Sequence, residues 1–307
     1  MITDFSPYLK DGVLNLNQEG NKFSSGKGEI RCLDKIFDIG QLAKFIETTP
    51  GIKGFKADTL GIGKMGIDNF QLLINAIKES KITAVNFENN LLTLKMVEEI
   101  SELTNLTGLN LAFCGIDDEK IIKIVKLPKL SVLNVENNGI TNIGVAKIVR
   151  ELPDLLALYA SSNCITDIGA KRIADGLNKL EQFTLPYCND ISYVGLKGLV
   201  MAHRKTLTKV DLFSSAYTSE QLSKIVELLS PGCVVKLGPY WTKGEDDIND
   251  APLKLVGAEW EILLPVDHVE VVEGDNNALP LVGAIGENND ALPLVDPIGV
   301  VEDLQGE

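Results

Sequence analysis

Cysteine and histidine offer the most chemistry of any side chains, but their spacing in this chain assembles none of it. The five cysteines, Cys32, Cys114, Cys164, Cys188 and Cys233, are scattered and odd in number. No two stand in the C-x-x-C spacing of a zinc or redox pair, and no disulfide framework is implied. His203 and His268 have no nucleophile nearby in a recognisable motif. The glycines of "LGIGKMG", residues 60–66, lack the full spacing of a phosphate loop and read as a turn. No catalytic group, cofactor or metal is therefore expected. A different set of side chains recurs at a near-constant interval. Asn134 and Glu136, Tyr159, Tyr187, Asp211 and Phe213 occupy matching places in successive segments, with Phe113 before them and Tyr240 and Trp241 after. Exposed aromatics beside small polar residues anchor protein interfaces, so these nine are the expected partner-binding residues.

Those places are matched because the chain repeats itself. The phrase "NGITNIGVAKIV" returns 25 residues later as "NCITDIGAKRIA". An apolar triplet at offsets 0, 3 and 5 starts at residues 82, 106, 130, 155, 180 and 207, at intervals of 24, 24, 25, 25 and 27. A weaker copy begins at Ile52 with Phe55 and Ala57, and Val235 with Leu237 fits a closing strand. Self-similarity at this period is the signature of stacked repeats, each too small to bury its own apolar face.

Within each repeat the spacing predicts a short strand, a turn and a helix. Offset 8 holds Asn90, Cys114, Asn138, Asn163, Cys188 and Ser215, small side chains able to turn inward and satisfy the neighbouring loop's backbone. The two ladder cysteines, and Cys164 beside one of them, are read as buried apolar thiols. An apolar plug follows at Leu92, Ile116, Ile140, Ile165 and Ile191, and directly after it stand Thr93, Asp117, Thr141, Thr166 and Ser192, which are helix N-cap types. Stripes such as Val145/Ile148/Val149 give each helix one buried face. Gly144, Gly169 and Gly195 fall in the first helical turn, where close packing between neighbouring repeats is expected.

The stretch "LSVLNVENNGITNIGVAKIV" resembles a leucine-rich repeat, and "NCITDIGAKRIA" and "YCNDISYVGLKGL" are similar to the cysteine-containing and ribonuclease-inhibitor-like subclasses. The resemblance covers roughly residues 52 to 240. It implies an α/β solenoid with a curved parallel sheet on the concave face and helices on the convex one. Residues 1–50 are expected to form an N-terminal cap (1–28) and a degenerate first repeat (29–50), residues 51–241 the array, and residues 242–307 an acidic extension. Offsets 4, 6 and 7 are expected to point out from the concave face.

Charge separates the extension from the rest. Residues 244–307 hold 16 of the 43 acidic residues and one of the 29 basic ones, so the net charge of −14 resides there and the body is nearly neutral. That balance makes nucleic acid and anionic membrane poor partners. The extension carries echoes of its own, "NNALPLVGAIG" (276–286) and "NNDALPLVDPIG" (288–299), which read either as a disordered acidic tail or as segments that lie extended against a groove or sheet edge. No membrane span and no Sec signal peptide are read.

The leading expectation is a non-enzymatic, monomeric protein–protein interaction module that binds an unidentified protein through its concave face. The Lys/Ile/Asn-rich body resembles leucine-rich repeat effectors of intracellular bacteria, which implies a cytoplasmic protein or one secreted into a host cell to meet a eukaryotic partner. Two alternatives stand beside it. One is a ubiquitin-ligase adaptor, although residues 1–50 show no F-box; the other is an enzyme inhibitor like ribonuclease inhibitor, against which stand the short array and neutral body.

Overall fold

The computed structural model describes residues 5–10, 12–16, 23–26, 29–32, 35–57, 62–185, 188, 190–212 and 216–236. The chain divides into two units, Met1–Pro265 and Val266–Glu307, and the second lies wholly outside the described residues. The acidic extension expected over residues 242–307 lies outside the described residues as well.

An apolar residue at offset 3, flanked by one that faces the other way, makes a strand only three residues long, and a new one appears with every repeat. Strands β6 (Gly54–Lys56), β7 (Ala84–Asn86), β8 (Gly108–Asn110), β9 (Val132–Asn134), β10 (Ala157–Tyr159), β11 (Gln182–Thr184), β12 (Lys209–Asp211) and β13 (Val234–Lys236) follow one another in a parallel sheet. The register runs Phe55, Val85, Leu109, Leu133, Leu158, Phe183, Val210 and Val235, one residue per strand. Every member of that row is buried, which makes the triplet's middle residue the spine of the core. A one-residue slip would turn the spine to the other face of the sheet, so burial fixes the register.

Helices α2 (Ile67–Glu79), α3 (Leu94–Ile100), α4 (Asp118–Ile124), α5 (Asn142–Glu151), α6 (Asp167–Gly176), α7 (Tyr193–His203) and α8 (Ser219–Val226) alternate with these strands. Thr93, Asp117, Thr141, Thr166 and Ser192 are N-caps as expected, each accepting a bond from a first-turn amide. Thr218 caps α8 in the same way, with Gln221 reaching back to complete a capping box.

The N-terminal end departs from expectation. Strand β1 (Leu9–Lys10) forms a hairpin with β2 (Val13–Asn15) across Gly12, whose φ of 82° suits glycine, and β2 pairs in parallel with β6. The array's first strand thus lies inside the stretch assigned to the cap. Residues 29–38, expected to open a degenerate repeat, belong instead to an antiparallel meander of β3 (Phe23–Gly26), β4 (Glu29–Cys32) and β5 (Lys35–Asp38). The helix expected after them does form, as α1 (Ile39–Thr48), capped by Asp38. Leu14 and Leu16 are fully buried, so β2 supplies the apolar row that β6 would otherwise expose.

Candidate functional site

The concave surface is built on the residue between the two inward apolar positions of each strand. Asn86, Asn110 and Asn134 hold that place in three successive repeats, and each carboxamide oxygen accepts the amide two residues on: Glu88 at 2.8 Å, Ala112 at 2.9 Å and Glu136 at 2.9 Å. The asparagines close the turn that ends the strand. All three are buried, and among the described residues the Nδ2 of Asn86 has no hydrogen-bond partner.

The expectation that this column stands free on the concave face is therefore corrected. Asn134, Tyr159 and Asp211 are each less than a tenth exposed. Parallel strands lie only about 4.8 Å apart, so side chains stacked in one column cover each other. Tyr159 donates its hydroxyl to Gln182 Oε1 at 2.6 Å, and burial pushes the phenol pKa well up. Tyr187, Phe213, Tyr240 and Trp241 lie outside the described residues.

Two of the expected residues remain available. Glu136 is partly buried, and one carboxylate oxygen accepts Ser161 Oγ at 2.7 Å and Thr184 Oγ1 at 2.6 Å. Three repeats thus hold one carboxylate in a set orientation, with its second oxygen left for another donor. Phe113 is 48% exposed, on the rim where the strand gives way to the loop.

The rim has its own backbone rule. Asn89, Phe113, Asn137 and Ser162, all at offset 7, have φ between 50° and 56°. Asparagine enters this left-handed region readily, whereas a bulky residue there is an outlier. Phe113 is the bulky one. Leu91, in the preceding repeat and close to Gly115, is 74% exposed.

One residue inward, the side chains do the opposite work. Asn138 accepts the amides of Cys114 and Ile116 and donates to the carbonyls of Leu111, Val135 and Glu136. Asn90 and Asn163 make equivalent sets. Cys114 and Cys188 replace asparagine with thiols that donate to carbonyls, and burial pushes the Cys114 thiol up to about 12. Such a group stays protonated and is a poor nucleophile. His203 is equally internal, with its ring nitrogens 3.0 Å and 2.9 Å from the carbonyls of Leu199 and Leu177. Among the described residues no group of three or more His, Cys, Asp or Glu could hold a metal ion.

A second ladder was not foreseen. Asp118, at the first position of α4, accepts Thr141 N and Gly144 N at 2.9 Å and the Thr141 hydroxyl at 2.6 Å. Asn142 reaches the next cap by accepting Thr166 N and donating its Nδ2 to the Thr166 hydroxyl, and Asp167 accepts Ser192 N. A methyl on Gly144 would lie 2.5 Å from Asp118 Oδ1, and one on Gly169 2.6 Å from Asn142 Oδ1, which is the close packing anticipated for these glycines. The signal was present as an Asp or Asn directly after the cap, followed one repeat later by a first-turn glycine.

Residues 102–124 and 126–149 match a family model described as Leucine Rich repeat. The described residues fold as a leucine-rich repeat solenoid. Its architecture is that of a protein-interaction repeat module. Two solved structures align with this solenoid at low sequence identity. An internalin from Listeria monocytogenes is 19% identical, over 57% of this chain and 51% of that one, with a TM-score of 0.42. The leucine-rich repeat-containing protein LegL7 from Legionella pneumophila is 14% identical, over 65% of this chain and 69% of that one, with a TM-score of 0.46. The aligned repeats thus span about half the internalin's length. No curated protein sequence matches the chain. Among the described residues no helix is long and apolar enough to cross a membrane.

Proposed function

We propose that the solenoid is a non-enzymatic module that binds a protein partner across its concave face, with Phe113 as the apolar anchor and Glu136 as the polar contact. The observation that carries this reading is Phe113 itself. A large ring held half out of solvent in a left-handed backbone costs about 1–3 kcal/mol in conformational strain. Among the described residues the three equivalent positions hold Asn or Ser, so the fold does not require an aromatic there. Strained backbone and exposed apolar surface tend to coincide at binding sites, and aromatic residues dominate the energetics of interfaces. The oriented Glu136 carboxylate supplies an acceptor for a partner's Lys or Arg.

The partner in this reading is a eukaryotic host protein met after secretion, a proposal that rests on the Lys/Ile/Asn-rich body's resemblance to effector-type repeat proteins. The test is affinity capture from eukaryotic lysate with the full chain, read by mass spectrometry, beside the Phe113→Asn and Glu136→Gln variants. Asparagine relieves the backbone strain but loses half-buried ring contacts, so stability should stay within about 0.5 kcal/mol of wild type. A partner captured by wild type should be lost from both variants. Capture that survives both substitutions would place the binding surface elsewhere on the chain.

A further inference from the structure

The second position of each helix shows a pattern that the concave reading does not use. In α4 it is Glu119 and in α8 it is Glu220, both exposed. In the three consecutive helices between them it is Ile143, Ile168 and Val194, exposed by 62%, 59% and 76%. The first turn of a helix favours acidic side chains, because the unpaired amides there carry partial positive charge. Three successive apolar residues forgo that interaction and face water instead. They are held as neighbours by the cap-to-cap ladder, in which Asn142 bonds Thr166 and Asp167 bonds Ser192. The result is an apolar stripe running along the solenoid edge with a carboxylate at each end.

We propose that this stripe is a second docking surface, for an extended segment of another protein that carries alternate apolar side chains between basic residues. Spacing and charge both point to that occupant. Neighbouring repeats are about 4.8 Å apart at the strands and about 8–10 Å apart at packed helices, and the stripe lies between the two. Alternate side chains of an extended chain, about 6.8 Å apart, fall within that range. The terminal acids discriminate between occupants. A two-fold pairing of stripes would set Glu119 of one copy against Glu220 of the other, two carboxylates face to face, which disfavours a second copy of this chain. Lys or Arg at the ends of a foreign segment would meet opposite charge. Glu220 already pairs with Lys224 at 2.6 Å, but both side chains are more than half exposed, so the pair is weak and exchangeable. Arg172 donates to the Asn142 carbonyl, and Lys147, Lys171 and Lys197 stand on the next turn of the same three helices, so the basic groups flank the middle of the stripe rather than its ends.

The probe is a fluorescein-labelled synthetic peptide with three alternate valines between two pairs of lysines, titrated into the full chain by fluorescence polarisation. Its control replaces the lysines with glutamates. The lysine peptide should bind, the glutamate peptide should not, and Ile143→Ser with Ile168→Ser should weaken binding by about tenfold or more. Phe113→Asn should leave the peptide affinity unchanged, which separates this surface from the concave one. Equal binding to the double serine variant would mean that the lysines are attracted by acidic charge alone, and the proposal fails. It fails equally if neither peptide binds, or if sedimentation shows a dimer that the double variant dissolves, since the occupant is then a second copy.

Discussion

Offsets 7 and 8 are adjacent in the chain and opposite in what they tolerate. Offset 8 points inward, where Asn138 makes five hydrogen bonds to the backbone of its own and the preceding repeat. Offset 7 points outward in a left-handed conformation, where Asn89, Asn137 and Ser162 satisfy a backbone preference alone. A buried ladder position is constrained by every polar group it serves, because each one left unpaired costs about 1–3 kcal/mol. An exposed turn position is constrained only by its φ. Variation at offset 8 therefore stays within groups that can bond a carbonyl, as Cys114 and Cys188 do. Variation at offset 7 extends to Phe113, where local strain is tolerated for a group that solvent does not favour.

The contrast is broken most severely by Asn138→Ala. Removing one carboxamide orphans two buried amides and leaves three carbonyls short of a donor, so the expected loss is about 3–5 kcal/mol in denaturant unfolding. A loss under about 1 kcal/mol would show that the ladder is not what ties these loops together. The neighbouring change, Asn137→Phe, transplants the Phe113 anomaly to a position where φ is 50°, and should cost about 1–2 kcal/mol with no change in cooperativity. If it costs nothing, Phe113 is not strained and its backbone gives no support to a binding role.

A smaller effect comes from pH. Burial disfavours the thiolate and pushes the Cys114 thiol from its ordinary value of 9.0 up to about 12 in the folded chain. A raised folded pKa means that the unfolded chain gives up its proton first. Stability is then full below pH 9 and declines as pH rises toward 12, by about 1 kcal/mol between pH 9 and 10 from this group. Melting curves across that interval should have a shallower pH dependence in Cys114→Ala, whatever its absolute stability. An unchanged slope would mean the thiol is solvated.

The legible part of the fold was the part encoded within single repeats. The strand triplets, the caps at Thr141 and Thr166 and the inward asparagines all follow from side chains that act on backbone a few residues away or one period on. The candidate site was legible in kind but misplaced in detail. Alternation along a strand sends Asn134 and Tyr159 to the open face, yet the columns formed by adjacent strands bury them. The N-terminus departs from its local pattern for a related reason. "DIGQLAKFIETTP" announces its helix correctly, but no short-range signal shows that the strand belonging to it is Val13–Asn15, placed before an intervening meander.

The sequence by itself determined the period, the alternation of strand and helix, the caps and the inner ladder, because each is a local demand repeated with nearly constant spacing. Tertiary structure alone decided which surfaces remain open. The carboxylate of Glu136 is fixed by Thr184, 48 residues away, and the stripe of Ile143, Ile168 and Val194 exists only because three helices are stacked side by side. Exposure is a property of what neighbouring repeats leave uncovered, and no single repeat contains that information.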